Sequence, residues 1–156
     1  MQPEMKVEPW WAALTVWGVV NGINILQAAG FTSRVWTGDR TINHLLGRVI
    51  IALGVPAVAA LVAFLRARTG WLHVVGPAAF LAFIALELVI DYVWPVEFRS
   101  PVRIEILVPY LVLFFGSILL MGLPMFRANQ QLWLITVATT ALLLTSMVIA
   151  MRRGVG

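Results

Sequence analysis

Five long apolar stretches, separated by short polar or charged segments, dominate this sequence of 156 residues. A bilayer core is crossed by about 20 apolar residues in a helix. The stretches are too long for strands and lack a two-residue alternation of polar and apolar side chains. The sequence therefore predicts an all-α integral membrane bundle of five transmembrane helices. It forms a single domain over residues 1–156, with spans at about 10–29, 42–64, 72–96, 104–123 and 132–151.

Composition narrows the range of functions. Charged residues make up 12% of the chain, whereas a soluble domain has about a quarter. The sequence has no cysteine, which excludes disulfides, thiolate metal sites and cysteine nucleophiles. The net charge of +4 is spread over the loops without a basic run, so we expect membrane lipids as partners and no nucleic acid.

The ends of the spans predict how the chain is oriented. Tryptophan, which prefers the membrane interface, occurs near most span ends. Five spans put the termini on opposite sides, and basic residues are enriched on cytoplasmic sides. We call the C-terminal side "side B"; it has six basic residues against four on the other side. We therefore expect the plasma membrane of a prokaryote, with the C-terminus cytoplasmic and the N-terminus outside. The six are Arg34, Arg40, Arg99, Arg103, Arg152 and Arg153, and the four are Lys6, Arg66, Arg68 and Arg127.

Small residues and prolines predict packing features. Gly18 and Gly22 form a GxxxG pattern, which allows close helix approach. Pro56 and its counterparts in later spans predict kinks, because each removes a backbone hydrogen bond. Threonines of the fifth span are expected to bond back to carbonyls one turn earlier.

The polar side chains inside the spans share one half of the bilayer. Ionisable groups in a span are costly and are functional candidates by default. Spans one, three and five end at side B, and spans two and four begin there. Nearly all strongly polar side chains lie toward side B, with His73 as the exception. They include Asn21, Asn24, His44, Arg48, Glu87, Asp91 and Tyr110.

Depth and spacing predict that these groups meet. At about 1.5 Å per residue, Arg48, Asp91 and Glu87 lie about 9, 7 and 13 Å inside side B. Glu87, Asp91 and Trp94 are spaced i, i+4, i+7, which places them on one face of a continuous α-helix. We expect a partly hydrated cavity that opens to side B or sideways to lipid.

Two interpretations of the charged group remain open. Arg48 can neutralise Glu87 or Asp91 as a structural tie between helices, because unpaired charge at this depth is costly. One arginine still leaves a second carboxyl group, which is a candidate acid or base.

The sequence gives little support for a metal site or a cofactor site. His44 and His73 begin their helices on opposite sides, so the bilayer core separates them and they cannot ligate one iron. A metal bound by His44, Glu87 and Asp91 is geometrically feasible, but one imidazole without cysteine is a poor set of ligands. We predict no metal and no cofactor.

The leading hypothesis is a pocket that binds a lipophilic or amphipathic small molecule. Acid–base chemistry of the isomerase or cyclase type would use Glu87 as proton donor and Asp91 to tune it. The alternatives are a proton-coupled or cation transporter that works as a homo-oligomer, and an accessory subunit of a larger membrane complex. The predicted ligand-binding residues are Asn21, Asn24, His44, Arg48, Trp94, Tyr110, Trp17 and Phe83.

Overall fold

The computed structural model describes residues 9–38, 41–96, 98 and 103–155. Within these ranges, five helical spans are long and apolar enough to cross a membrane. This confirms the all-α bundle of five spans, while two spans are each divided into two elements. The elements are α1 (Trp10–Thr37), α2 (Thr41–Ala52), α3 (Gly54–Arg66), α4 (Trp71–Glu87), a π-helical segment (Leu88–Val93, the π segment), α5 (Ile104–Ala128) and α6 (Gln130–Arg152).

The first helix is longer than expected. It continues to Thr37, although residues 30–41 had been predicted as a connection. Gly38 ends the helix with φ 68°, and its N–H donates to the Arg34 carbonyl at 2.9 Å. The 28 residues of α1 span about 42 Å, more than a bilayer core of about 30 Å. Its last turns therefore reach the side-B interface.

The second span is interrupted at Leu53. Pro56 has no N–H to donate to the Ala52 carbonyl, so the helical ladder loses a bond there. Leu53 lies between α2 and α3, and its N–H is shared by the carbonyls of Val49 and Ile50 at 3.1 Å each. The sequence placed a kink at Pro56, and the break lies three residues earlier because the proline acts on the preceding turn.

Two helix pairs have the most extensive contacts, α4 with α5 and α1 with α6. Between these pairs, α3 packs on α4, and α1 also contacts α2, α3 and α5. The bundle thus closes as a ring in the order α6, α1, α2–α3, α4, α5, with α5 contacting α6. Its core is apolar and rich in fully buried phenylalanine, including Phe64, Phe80 and Phe83.

The closest backbone approach involves Gly76 of α4. A Cβ atom there would lie 2.8 Å from the Met121 backbone nitrogen and 2.9 Å from the Leu120 carbonyl carbon of α5. Of the GxxxG pair, a Cβ at Gly22 would contact Leu53 at 3.4 Å, whereas one at Gly18 would have no neighbour within 4 Å. Among the described glycines, Gly76 is the one whose Cβ atom would meet the backbone of another helix, a position that the GxxxG pattern did not indicate.

Tryptophans at the helix ends are largely exposed. Trp36 is 83% exposed and Trp71 is 66% exposed, on opposite sides of the bundle. Such exposure at span ends is typical of side chains at the membrane interface, and agrees with an integral membrane protein.

We predict that Gly76→Ala destabilises the protein by about 1–3 kcal/mol, because the added methyl group meets α5 backbone that cannot rotate away. Gly116→Ala is the matched control, since a Cβ there would have no neighbour within 4 Å. Thermal unfolding in detergent measures both. Equal melting temperatures for the two variants would contradict the close approach of α4 and α5.

Candidate functional site

Glu87 lies inside the bundle at the end of α4, with 9% of its surface exposed. The Tyr110 hydroxyl of α5 donates a hydrogen bond to its Oε2 atom at 2.6 Å. The Tyr110 ring contacts Phe83 and Phe98, with centroid distances of 5.2 and 5.4 Å. Aromatic packing therefore fixes the position of the phenol that donates to the buried carboxyl group.

The chain changes from α- to π-helix directly after Glu87. In the π segment the Trp94 N–H bonds to the Val89 carbonyl at 2.8 Å, an i→i+5 pattern. Such a turn holds one more residue than an α-turn, so residues four and five positions after Glu87 both come to its side of the helix. These residues are Asp91 and Tyr92. π-Bulges are frequent at functional sites.

Tyr92 connects the π segment to α2. Its hydroxyl donates to the His44 carbonyl at 3.4 Å, and the Arg48 side chain lies within hydrogen-bonding reach of the same phenol. Gly47 leaves room for this contact, because a Cβ atom there would lie 3.3 Å from the Tyr92 hydroxyl oxygen. Glu87 and Arg48 both act electrostatically on Tyr92, as does Asp91. The structure thus brings Arg48, Glu87, Asp91 and Tyr92 together.

The backbone of α2 is not closely packed on the helix that carries the carboxylates. Whereas α3 packs along α4, α2 has almost no backbone contact with α4 or the π segment. The two walls come close where a Cβ at Gly54 would meet the Ile84 side chain at 3.0 Å. Toward side B, the Tyr92 side chain bridges them. We use the name lateral cleft for the region between α2 and the π segment, from Gly54 at the start of α3 to Tyr92.

Exposure changes gradually from the mouth of the lateral cleft to the bundle interior. His44 and Arg48 are exposed, Asp91 is half-buried and Glu87 is buried. Among the described side chains, Arg48 forms no ion pair with Glu87 or Asp91 and instead approaches Tyr92. The tie between helices through Arg48 and a carboxylate, one of the two interpretations left open by the sequence, is thus not formed here.

Asn21 and Asn24 of α1 bond to α6. The Asn21 amide nitrogen donates to Thr136 at 3.1 Å, and its carbonyl oxygen accepts from Thr139 at 2.7 Å. The Asn24 amide nitrogen donates to the hydroxyls of Thr139 and Thr140 at 3.1 and 2.9 Å. We call these five residues the asparagine–threonine ladder. The Thr140 hydroxyl also bonds back to the Thr136 carbonyl at 2.8 Å, as expected from the sequence.

Two tryptophans that the sequence predicts to bind a ligand, Trp17 and Trp94, form no described hydrogen bond with Glu87 or Asp91. The Trp17 indole donates to the Leu132 carbonyl of α6 at 2.8 Å and so continues the ladder contacts. Trp94 follows the π segment and is 71% exposed. The continuous α-helical face predicted through Glu87, Asp91 and Trp94 is wrong, because the helix becomes a π segment and ends at Val93.

Tyr92 is a site residue that was not predicted from the sequence, because α-helical spacing points position 92 away from Glu87. Pro95 was the available signal, because a proline shortly after a helix has no N–H to continue the regular ladder. Irregular hydrogen bonding is therefore expected at this helix end, and Tyr92 becomes a neighbour of Glu87.

A small cavity lies at the other end of the bundle. Its volume is about 10 Å³, which holds about one water molecule. His73 and Phe64 are on its wall and pack with their ring centroids 5.3 Å apart. None of the residues of the lateral cleft lines this cavity, so the cavity expected beside Glu87 stays a prediction.

The described residues contain no group of three side chains placed to hold a metal ion. His44, Glu87 and Asp91, the only set that the sequence offered, therefore do not form such a group.

No protein-family model, curated protein or solved structure matches the chain. Its function must therefore be argued from the chemistry of its own residues.

We predict that Tyr110→Phe lowers the free energy of unfolding by about 1.5–3 kcal/mol, because it removes a short hydrogen bond to a buried carboxyl group. Tyr92→Phe is the comparison: it removes a long 3.4 Å bond to the His44 carbonyl and a contact with the exposed Arg48 side chain, so we expect a smaller loss of about 0.5–1 kcal/mol. Unfolding in mixed micelles measures both values. Equal losses would show that the bond to Glu87 contributes no more than an ordinary contact.

We predict a coupling free energy of about 0.5–1.5 kcal/mol between Asn24 and Thr140, within the range found for hydrogen bonds between membrane helices. The measurement is a double-mutant cycle of Asn24→Ala and Thr140→Val. Pairing Asn24→Ala with Thr145→Val, which changes an exposed residue of α6, should give additive losses. Additivity in both cycles would contradict the ladder.

Proposed function

We propose that this protein binds a small lipophilic or amphipathic molecule in the lateral cleft. The main support is the order in which the polar side chains become buried: Arg48 is exposed at the mouth and Glu87 is buried behind it. A charged side chain at a lipid-facing position is costly unless a polar partner or water accompanies it. A ligand with a polar head and an apolar tail can supply a polar partner to Arg48 while its tail stays in contact with apolar side chains and lipid.

Apolar side chains next to the charged group suit the ligand's tail. Val49 of α2 and Leu88 and Val89 of the π segment follow Arg48 and Glu87 in the sequence and are exposed. Phe83 is fully buried behind Tyr110, so it supports the phenol and does not contact the tail. Entry is sideways from the lipid, because the described contact between α2 and the π segment is made by the Tyr92 side chain.

Acid–base chemistry on the bound molecule follows from the Glu87–Tyr110 pair. In an isomerisation or cyclisation of an isoprenoid- or sterol-like compound, Glu87 donates a proton to one carbon of a double bond. The Glu87 carboxylate then takes a proton from a second carbon, which forms the new double bond and restores the acid. The substrate's proton count is unchanged and no cofactor is consumed. Tyr110 holds the carboxyl group in place, and Asp91, one turn away, influences its charge.

The two alternative functions are transport and a role as an accessory subunit of a larger membrane complex. The asparagine–threonine ladder favours transport, because it extends polar groups along the α1–α6 contact. Against transport, its hydroxyl and amide groups mainly bond to one another or to backbone carbonyls, which leaves little to exchange with a passing ion.

We further propose a prokaryotic plasma membrane with side B cytoplasmic. The support is the excess of basic residues toward side B. Arg103, Arg152 and Arg153 are exposed there. Lys6, Arg40 and Arg99, which also enter the comparison, lie outside the described residues.

We predict that Glu87→Gln abolishes turnover of the bound molecule and leaves the molecule in place, because the amide keeps the side chain's shape and loses its acidic proton. Mass spectrometry of what co-purifies with wild type identifies the ligand, and comparison of its structure after incubation with each variant measures turnover. Asp91→Asn should slow the reaction less. Glu105→Gln is the control, since Glu105 is an exposed carboxylate at the side-B end of α5.

The outcomes separate the candidate functions. A transporter would lose proton-coupled uptake in proteoliposomes in the Glu87 and Asp91 variants and show no altered molecule. A subunit would lose only stability or assembly. If wild type carries no molecule and Glu87→Gln melts at the wild-type temperature, ligand binding in the cleft is contradicted.

A further inference from the structure

The groups at the mouth of the lateral cleft are mainly hydrogen-bond donors. Arg48 is exposed, and its guanidinium has five N–H donors, only some of which can face Tyr92. His44 lies one turn earlier on the same face of α2 and is also exposed,. Both are in the first two turns of α2.

The acceptors of the cleft are less accessible. Glu87 is buried and already accepts the Tyr110 hydrogen bond, and Asp91 is half-buried in the π segment. A molecule that enters from lipid therefore meets Arg48 and His44 before it meets a carboxylate. The first contact favours an anionic head.

We infer that the ligand of the lateral cleft carries a phosphate group, which Arg48 binds with His44 beside it. Guanidinium matches the geometry of a phosphate with two parallel N–H···O bonds. Arg48 lies seven residues after Thr41, about 10 Å along the helix, within reach of the headgroup level for a long side chain. This inference rests on the proposed function and names the class of its ligand.

Two sources of such a phosphate are a bilayer phospholipid and a lipophilic monophosphate. Native mass spectrometry of the full chain in neutral detergent can distinguish them. The probes are phosphatidylglycerol and dodecyl phosphate, each with a neutral partner that lacks phosphate, diacylglycerol and dodecanol. Phosphatidylglycerol binding without dodecyl phosphate binding assigns the phospholipid, and the reverse result assigns the monophosphate.

The variant Arg48→Gln tests whether Arg48 binds the phosphate group. We expect wild type to bind at least one phosphate probe about tenfold more tightly than its neutral partner, and Arg48→Gln to lose that preference, a change of about 1.4 kcal/mol. Arg48→Lys keeps the charge without the fork and should retain part of it. Arg66→Gln, an exposed arginine at the other end of the same span, should match wild type.

The binding measurements distinguish an incorrect phosphate assignment from an incorrect proposed function. Equal affinity for phosphate and neutral probes in wild type, or an unchanged preference in Arg48→Gln, overturns the phosphate assignment while binding in the cleft stands. If wild type binds no probe of either kind and carries no co-purified molecule, the proposed function fails as well. Equal melting temperatures for Arg48→Gln and wild type exclude misfolding as the cause of lost binding.

Discussion

A carboxyl group inside a membrane-spanning bundle needs a hydrogen-bond donor, and for Glu87 the donor comes from the neighbouring helix. The 2.6 Å bond from Tyr110 sets how α4 and α5 align near side B. At the other end, Gly76 lets the two backbones approach closely. These two contacts make α4 and α5 one unit. The other wall of the cleft, α2, contacts mainly α1, so the distance between the walls depends on the Tyr92 side chain.

Hydropathy and residue depth could predict much of this arrangement. The number of spans follows from the length of apolar runs, because a bilayer admits few alternatives to a helix. Depth follows from counting residues at a fixed rise, which placed Arg48, Glu87, Asp91 and Tyr110 in one half of the bilayer. The Glu87–Tyr110 bond and the approach of Arg48 to the carboxylates' side of the bundle agree with that count.

The direction of each side chain around its helix could not be obtained in the same way. Asn24 has the depth expected for a partner of Arg48, but it faces α6 and bonds to threonines. For span five, the sequence predicted only that the threonine hydroxyls bond back to carbonyls one turn earlier. Likewise, the break at Leu53 and the π segment alter the helical repeat itself, so a spacing argument that assumes α-helix misplaces Tyr92 and Trp94. Leu53, Tyr92 and Trp94 each lie within four residues of a proline, Pro56 or Pro95, where the backbone ladder lacks a donor.

Entry of the proposed ligand from lipid would change which concentration governs the occupancy of the lateral cleft. A molecule that arrives between α2 and the π segment has already left water, so its partition into the bilayer and its binding to the protein are separate steps. Occupancy then follows the mole fraction of the molecule in the membrane, by mass action. A sparingly soluble compound can saturate such a site even though its aqueous concentration is far too low to measure.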